Sequence, residues 1–125
     1  MNFARKATPM TNATSANGLA LIQQYEGFRA EPIRLPDGAW VVGYNHVRVG
    51  EPGEPVNENE ARELLALDVG AYERLVNARV TQPVNQAQFD ALVSFAFSVG
   101  AEAFEQSQVL RRVNAGDYVA AACAI

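Results

Sequence analysis

A chain of 125 residues with 49% apolar and 19% charged side chains can bury one core and has the composition of a soluble globular domain. Its 14 acidic against 10 basic side chains leave a formal net charge of −4, which argues against nucleic acid or an anionic membrane surface as the main partner. A single cysteine excludes an internal disulfide, and one histidine with one cysteine makes no zinc site of the usual kind, so neither a metal nor any other cofactor is expected.

Residues 1–14 are polar and irregular and read as a flexible arm, with the folded domain expected over 15–125. Arg5 and Lys6 are followed by Thr8, Pro9 and Thr11 where a signal peptide would need an apolar stretch. The longest apolar run, around Leu92 to Val99, is too short to span a bilayer. A cytoplasmic setting with no direct membrane insertion of this segment is therefore expected. Ser15 is a candidate N-cap, after which Leu19, Ile22 and Tyr25 recur at helical spacing until Gly27 ends the run. From Phe28 to Val49 the pattern changes to β-branched and aromatic residues around Pro36-Asp37-Gly38, a hairpin-type turn signal. Trp40, Val42 and Tyr44 would share one strand face, with Val41 on the other.

Asn57-x-x-Glu60 has the form of a capping box opening a long helix, with Ala61, Leu64, Leu65, Tyr72, Leu75, Val76 and also Asp68 on one face. Asn85-x-x-Gln88 has the same form and opens "FDALVSFAFSV", apolar nearly all round and so predicted to be the central buried helix, with Phe89, Leu92, Phe95, Phe97 and later Phe104 in the core. A further helix is predicted from about Ser107 to Asn114, stopped by Gly116, and Asp117 can cap another that begins "YVAAACAI". Small apolar neighbours make Cys123 an expected buried structural thiol. That last helix is short and apolar, which predicts either a continuation in a longer protein or cover from another chain. The order of elements gives an α+β fold: an N-terminal helix, a small antiparallel sheet, then mainly helices around one buried central helix.

Several stretches now resemble one family. "SANGLALIQQYEGF", "VGYNH", "NEARELLALDV", "QAQFDALVSFAFSVG" and "SQVLRRVNAGDYVAAA" are similar, in order and spacing, to the phage-type lysozymes, the endolysin-like muramidases of glycoside hydrolase family 24. The resemblance covers roughly residues 15–124. It implies a two-lobed muramidase fold that cuts peptidoglycan between N-acetylmuramic acid and N-acetylglucosamine. It also implies a catalytic set of a Glu before Gly, an Asp or Cys nine residues on, and a Thr six further. On this chain Glu26 matches the first and is the expected general acid, while the other positions hold Leu35 and Val41. The family's Gly-x-Gly-His reads Gly43-Tyr44-Asn45-His46. In the family this histidine pairs with an acid on the long helix, where Asp68 stands, so His46–Asp68 is expected as a structural tie. "LPDGAW" and "VLRRVNAGDYVAAACAI" look most like the muramidase-like domains of bacterial polarity and stalk-positioning proteins, which implies a role in localisation and assembly instead of wall cleavage.

At Glu26 the negative end of the helix dipole and the apolar neighbours Tyr25 and Phe28 would disfavour an anionic carboxylate, the setting a proton donor needs. Glycoside hydrolysis ordinarily requires a second group, which a leucine or a valine does not supply. Asp37 is the nearby acid that could substitute, although its place in the Pro-Asp-Gly turn accounts for it by turn chemistry alone. Trp40, Tyr44 and Asn45 are candidate cleft or contact residues, the aromatic pair either stacking a sugar or belonging to the core. The expected function is a degenerate muramidase domain used for protein–protein interaction and self-association, with peptidoglycan glycan as a further candidate ligand. An active lysozyme and a glycan-binding module are the alternatives.

Overall fold

The structure, a computed structural model, describes residues 12–125. Among them lie α1 (Ala16–Glu26), β1 (Arg29–Arg34), β2 (Trp40–Gly43), β3 (His46–Arg48), α2 (Glu58–Arg79), α3 (Gln86–Val99), α4 (Ala101–Glu105), α5 (Gln108–Asn114) and α6 (Tyr118–Ala124). The fold is α+β, as the order of sequence patterns predicts. The residues pack as two compact units, Leu19–Gly70 and Ala71–Ile125, the latter taking in the chain up to Gly18.

The unit Leu19–Gly70 is built on the antiparallel sheet β1-β2-β3. Its register pairs Ile33 with Val41 and Val41 with Val47, and pairs Val42 with His46. Between Arg29 and Ile33 the β1–β2 register shifts. Pro32 stands in that stretch; it has no N–H to donate to a ladder and is tolerated because β1 is an edge strand. The main chain of Val56 donates to Ala30 O at 2.9 Å, giving this part of β1 a backbone partner. Arg48 pins the 50–55 loop by donating to the carbonyls of Pro52 and Glu54. The unit's core consists of Ile22, Val41, Val42, Tyr44, Val56, Ala61, Leu65 and Val69, all buried. Gly43 is required where it stands: its φ is +66°, and a Cβ there would lie 3.0 Å from the Ala61 Cβ.

The helix starts follow the predicted capping chemistry. Asn57 and Glu60 bond each other's backbone N–H at 2.8 and 2.9 Å, and Asn85 and Gln88 do the same at the start of α3. Ser107 and Asp117 cap α5 and α6 through the N–H groups of Leu110 and Ala120. Among the described residues no helix is long and apolar enough to cross a membrane.

In the second unit, Val76, Val80, Phe89, Leu92, Val93, Ala96, Phe104, Val109, Leu110, Val113 and Ala121 form the core. Helix α3 is less enclosed than its apolar sequence predicts: Phe95 and Phe97 are half-buried, with edge-on ring contacts to Phe104 and Tyr72, and Ser98 and Val99 are exposed. The buried face of α3 also carries a charge. Asp90 accepts from Ser15 N at 3.0 Å, from the Ser15 hydroxyl and from Gln86 Nε2 at 2.8 Å, while Ser15 Oγ accepts from Gly18 N. The carboxylate thereby fixes the N-cap of α1. Gly18 leaves it room, since a Cβ there would fall 2.6 Å from Asp90 Cγ.

One expectation is corrected and one element was not foreseen. Cys123 is exposed, because it lies two positions, about 200° around the helix, from the buried Ala121. The short helix α4 had no periodic signal of its own, its five residues being fewer than two turns. Of the arm expected over 1–14, residues 1–11 lie outside the described residues. Residues 12–14 are hydrogen-bonded: Asn12 to Asn77 in both directions, Ala13 O to Gln86, and Thr14 N to Glu73 at 2.7 Å. Replacing Asp90 by Ala strands the donors of Ser15 and Gln86 and should lower the unfolding free energy by about 2–3 kcal/mol. Asn85→Ala should cost about 1 kcal/mol. Urea denaturation that ranks the two variants in the opposite order would contradict this assignment.

Candidate active site

The sequence directs attention to the end of α1 and the β2–β3 turn, and both lie in the unit Leu19–Gly70. Helix α1 closes at Glu26 because Gly27 takes φ +75°, with its N–H on Gln23 O at 3.0 Å. The reversal leaves the Glu26 side chain part-buried on the last helical turn. Facing it is Asn45, in the tight connection between Val42 and His46. Asn45 is the one described non-glycine residue with positive φ, +59°. Asparagine is among the few side chains that tolerate this conformation, so the backbone shape that favours glycine persists with a carboxamide attached.

That carboxamide joins two charged groups. Asn45 Nδ2 donates to Glu26 Oε1 at 2.5 Å, and Arg29 Nη1 donates to Asn45 Oδ1 at 2.8 Å. Arg29 is a site residue that sequence reasoning missed. A cation three positions beyond Glu26 at the head of a strand was the available signal, but strand pairing is what turns it toward the β2–β3 turn, through the partnership of Arg29 with Gly43. The two apolar neighbours expected to shield Glu26 are themselves open to solvent. Tyr25 is 74% exposed, and the Phe28 ring packs against Tyr44 at 5.8 Å between centroids. A polar neighbour, Asn45, stands where hydrophobic shielding was anticipated.

The remaining candidates separate into distinct roles. Tyr44 is buried, at 5% exposure, so it offers no open face for a ligand; Trp40 is half-buried with the Arg34 guanidinium 5.5 Å over its ring. The two aromatics therefore form no common platform. Asp37 accepts from Ala39 N at 3.0 Å, and the Leu35 and Ala39 backbones close the turn at 2.7 Å, so this carboxylate serves the hairpin. His46 Nδ1 lies 2.8 Å from Asp68 Oδ2, joining β3 to the first half of α2. Leu35 is half-buried beside the turn, and Val41 is buried between Ile33 and Val47 in the sheet. Neither contributes a polar atom to Glu26. Among the described residues no three His, Cys, Asp or Glu side chains converge as metal ligands would. The arrangement thus presents one carboxylate, one carboxamide and one guanidinium, with no second carboxylate bonded into the set.

A family model described as phage lysozyme matches residues 23–125. An endolysin of Acyrthosiphon pisum secondary endosymbiont phage 1 is 35% identical over 104 residues, covering 83% of this chain and 71% of that protein. An endolysin of Bacillus phage B103 is 35% identical over 111 residues, covering 86% of this chain but 42% of its own length. Among solved structures, the muramidase domain of SpmX from Asticaccaulis excentricus superposes with a TM-score of 0.88 at 45% identity, covering 91% of this chain and 78% of that one.

The His46–Asp68 bond is part-buried and ties a three-residue strand to a helix. Asp68→Ala is expected to lower the unfolding free energy by about 1 kcal/mol. An unchanged denaturation midpoint would count against a structural role for the pair.

Proposed function

The chain belongs to the phage lysozyme family, and we propose that its muramidase chemistry is impaired or absent and that the domain serves protein–protein interaction and self-association. The setting proposed is the cytoplasmic side of a bacterial cell, in polar localisation and morphogenesis. Support for that setting comes from the 45% identity with the SpmX muramidase domain and from the "LPDGAW" and "VLRRVNAGDYVAAACAI" segments.

One observation carries the reading. The positions at which the family places its second acid and its threonine hold Leu35 and Val41, and the side chain bonded to Glu26 is a carboxamide. Cleavage of a glycosidic bond needs a proton delivered to the leaving oxygen and a second group that attacks the anomeric carbon or activates water. Glu26 can supply the first. Leucine and valine have neither a lone pair nor a charge for the second. Loss of one positioned base costs on the order of 100- to 10,000-fold in rate, and here both partner positions are apolar. Asp37, the acid that could have compensated, is bonded within its own turn.

The interaction role draws on the sheet. Ile33 and Val47 flank Val41 in cross-strand register and are 47% and 53% exposed, with Val49 more exposed still. Exposed β-branched side chains on the two strands that flank β2 form the kind of apolar patch that marks contact surfaces.

A second reading, an active lysozyme with Glu26 as general acid, is favoured by the retention of Glu26 and by the endolysin relatives. Turbidity of purified cell walls separates the two. The expected result is clearing at least about 100-fold slower than by an endolysin, with no difference between the parent protein and Glu26→Gln. Glu26-dependent lysis at endolysin rates overturns the proposal. Sedimentation velocity is expected to show concentration-dependent association weakened by Val47→Lys; a monomer at every concentration would remove the self-association role.

A further inference from the structure

We infer that Asn45 is a positioning residue that masks Oε1 of Glu26, so that a ligand donor bonding this oxygen must first displace the Asn45 carboxamide. The inference rests on the reading that the site derives from one that binds an N-acetylhexosamine glycan, and it concerns how much of that binding the present site retains.

The orientation of the carboxamide follows from its partners. Arg29 carries donors only, so the Asn45 oxygen must face it; the amide nitrogen is then turned to Glu26, where it meets Oε1 at 2.5 Å. A flipped amide would set donor against donor on the arginine side. The arginine thus fixes the asparagine, and the asparagine occupies the glutamate. Glu26 Oε1 is engaged by a protein donor, while Oε2 has no polar partner among the described residues.

The backbone supports a role for the side chain itself. At φ +59° a glycine would sit without strain, and Asn45 keeps that conformation while carrying a group that bonds at both ends. The capping residue Asn85 and the N-terminal partner Asn77 serve their own backbone or a neighbouring segment. Asn45, by contrast, spends both polar ends on charged side chains. A donor group on a glycan, such as an acetamido N–H or a ring hydroxyl, competes with Asn45 for Glu26 Oε1. What a bond to Oε1 contributes to glycan affinity is therefore the difference between two hydrogen bonds to that oxygen.

Titration of 15N-labelled protein with chitotetraose, a linear N-acetylglucosamine tetramer, tests the inference. The proteins compared are the parent, Asn45→Gly, Glu26→Gln and the Asn45→Gly/Glu26→Gln double variant. Asn45→Gly is expected to bind about tenfold more tightly than the parent, the net worth of one hydrogen bond to a charged group. The gain should shrink in the double variant, where the charged acceptor is gone, and the thermal midpoint should hold, because glycine suits the backbone. A purely structural Asn45 predicts the reverse: a lower midpoint and no change in affinity. Binding by Asn45→Gly no tighter than by the parent overturns the inference, as does an equal gain with and without the Glu26 carboxylate. Asn45→Asp removes the donor to Glu26 in a residue that also tolerates positive φ, and serves as the second variant if the glycine protein fails to fold. Wall lysis by the parent would refute impaired catalysis without altering the affinity comparison, so the two failures remain distinguishable.

Discussion

The hydrogen-bonded chain from Arg29 through Asn45 to Glu26 depends on a backbone conformation that few residues accept, and the surrounding unit is arranged to hold it. Four consecutive residues each perform a separate task. Gly43 lets the end of β2 approach Ala61, Tyr44 buries its ring against Phe28, Asn45 reaches Glu26, and His46 meets Asp68. With its neighbours secured on several sides, the turn can keep Asn45 at positive φ. Local strain of this kind persists where the surroundings over-determine it. Within this segment the side chains of Tyr44, Asn45 and His46 are each committed to a partner.

The other unit follows the same logic with different chemistry. Asp90 on α3 would be costly to bury alone, but it gathers the main chain and hydroxyl of Ser15 and the amide of Gln86. The buried acid therefore acts as a cap for the start of α1, reaching it across sequence. Gly18 completes the arrangement by leaving space for the carboxylate. Buried polar groups that are fully bonded define one arrangement, since alternatives would leave donors without partners.

The proposed function turns on the contrast between a fully formed scaffold and a site with a single bonded carboxylate. The capping boxes, the apolar faces of the helices and the His46–Asp68 tie are all formed, while the carboxylate of Glu26 is bonded to a carboxamide and not to a second acid. A fold tolerates such a site because its stability rests on burial and capping, not on catalytic carboxylates. Val41 illustrates this directly. A β-branched apolar residue there fills the sheet between Ile33 and Val47, so this position contributes to packing.

Elements governed by local chemistry were legible in the sequence: the Asn57–Glu60 and Asn85–Gln88 boxes, the Gly27 stop, the Pro36-Asp37-Gly38 turn and the Ser107 and Asp117 caps. Each is decided by residues a few positions apart, which meet whatever the rest of the chain does. The apolar spacing likewise told part of the buried faces, among them Ile22, Ala61, Leu65, Val76, Phe89 and Leu92, though not that Tyr25 is exposed, and the α+β order followed. Tertiary structure decided what lay beyond that range. Asp90 could not be recognised as a cap, because Ser15 lies 75 positions away. The bond from Asn45 to Glu26 crosses 19 positions and needs the sheet register to bring Arg29 beside it. Tyr44 and Trp40 share the alternating pattern of a strand, yet one is buried and the other capped by Arg34, because periodicity assigns faces while burial depends on what packs against them.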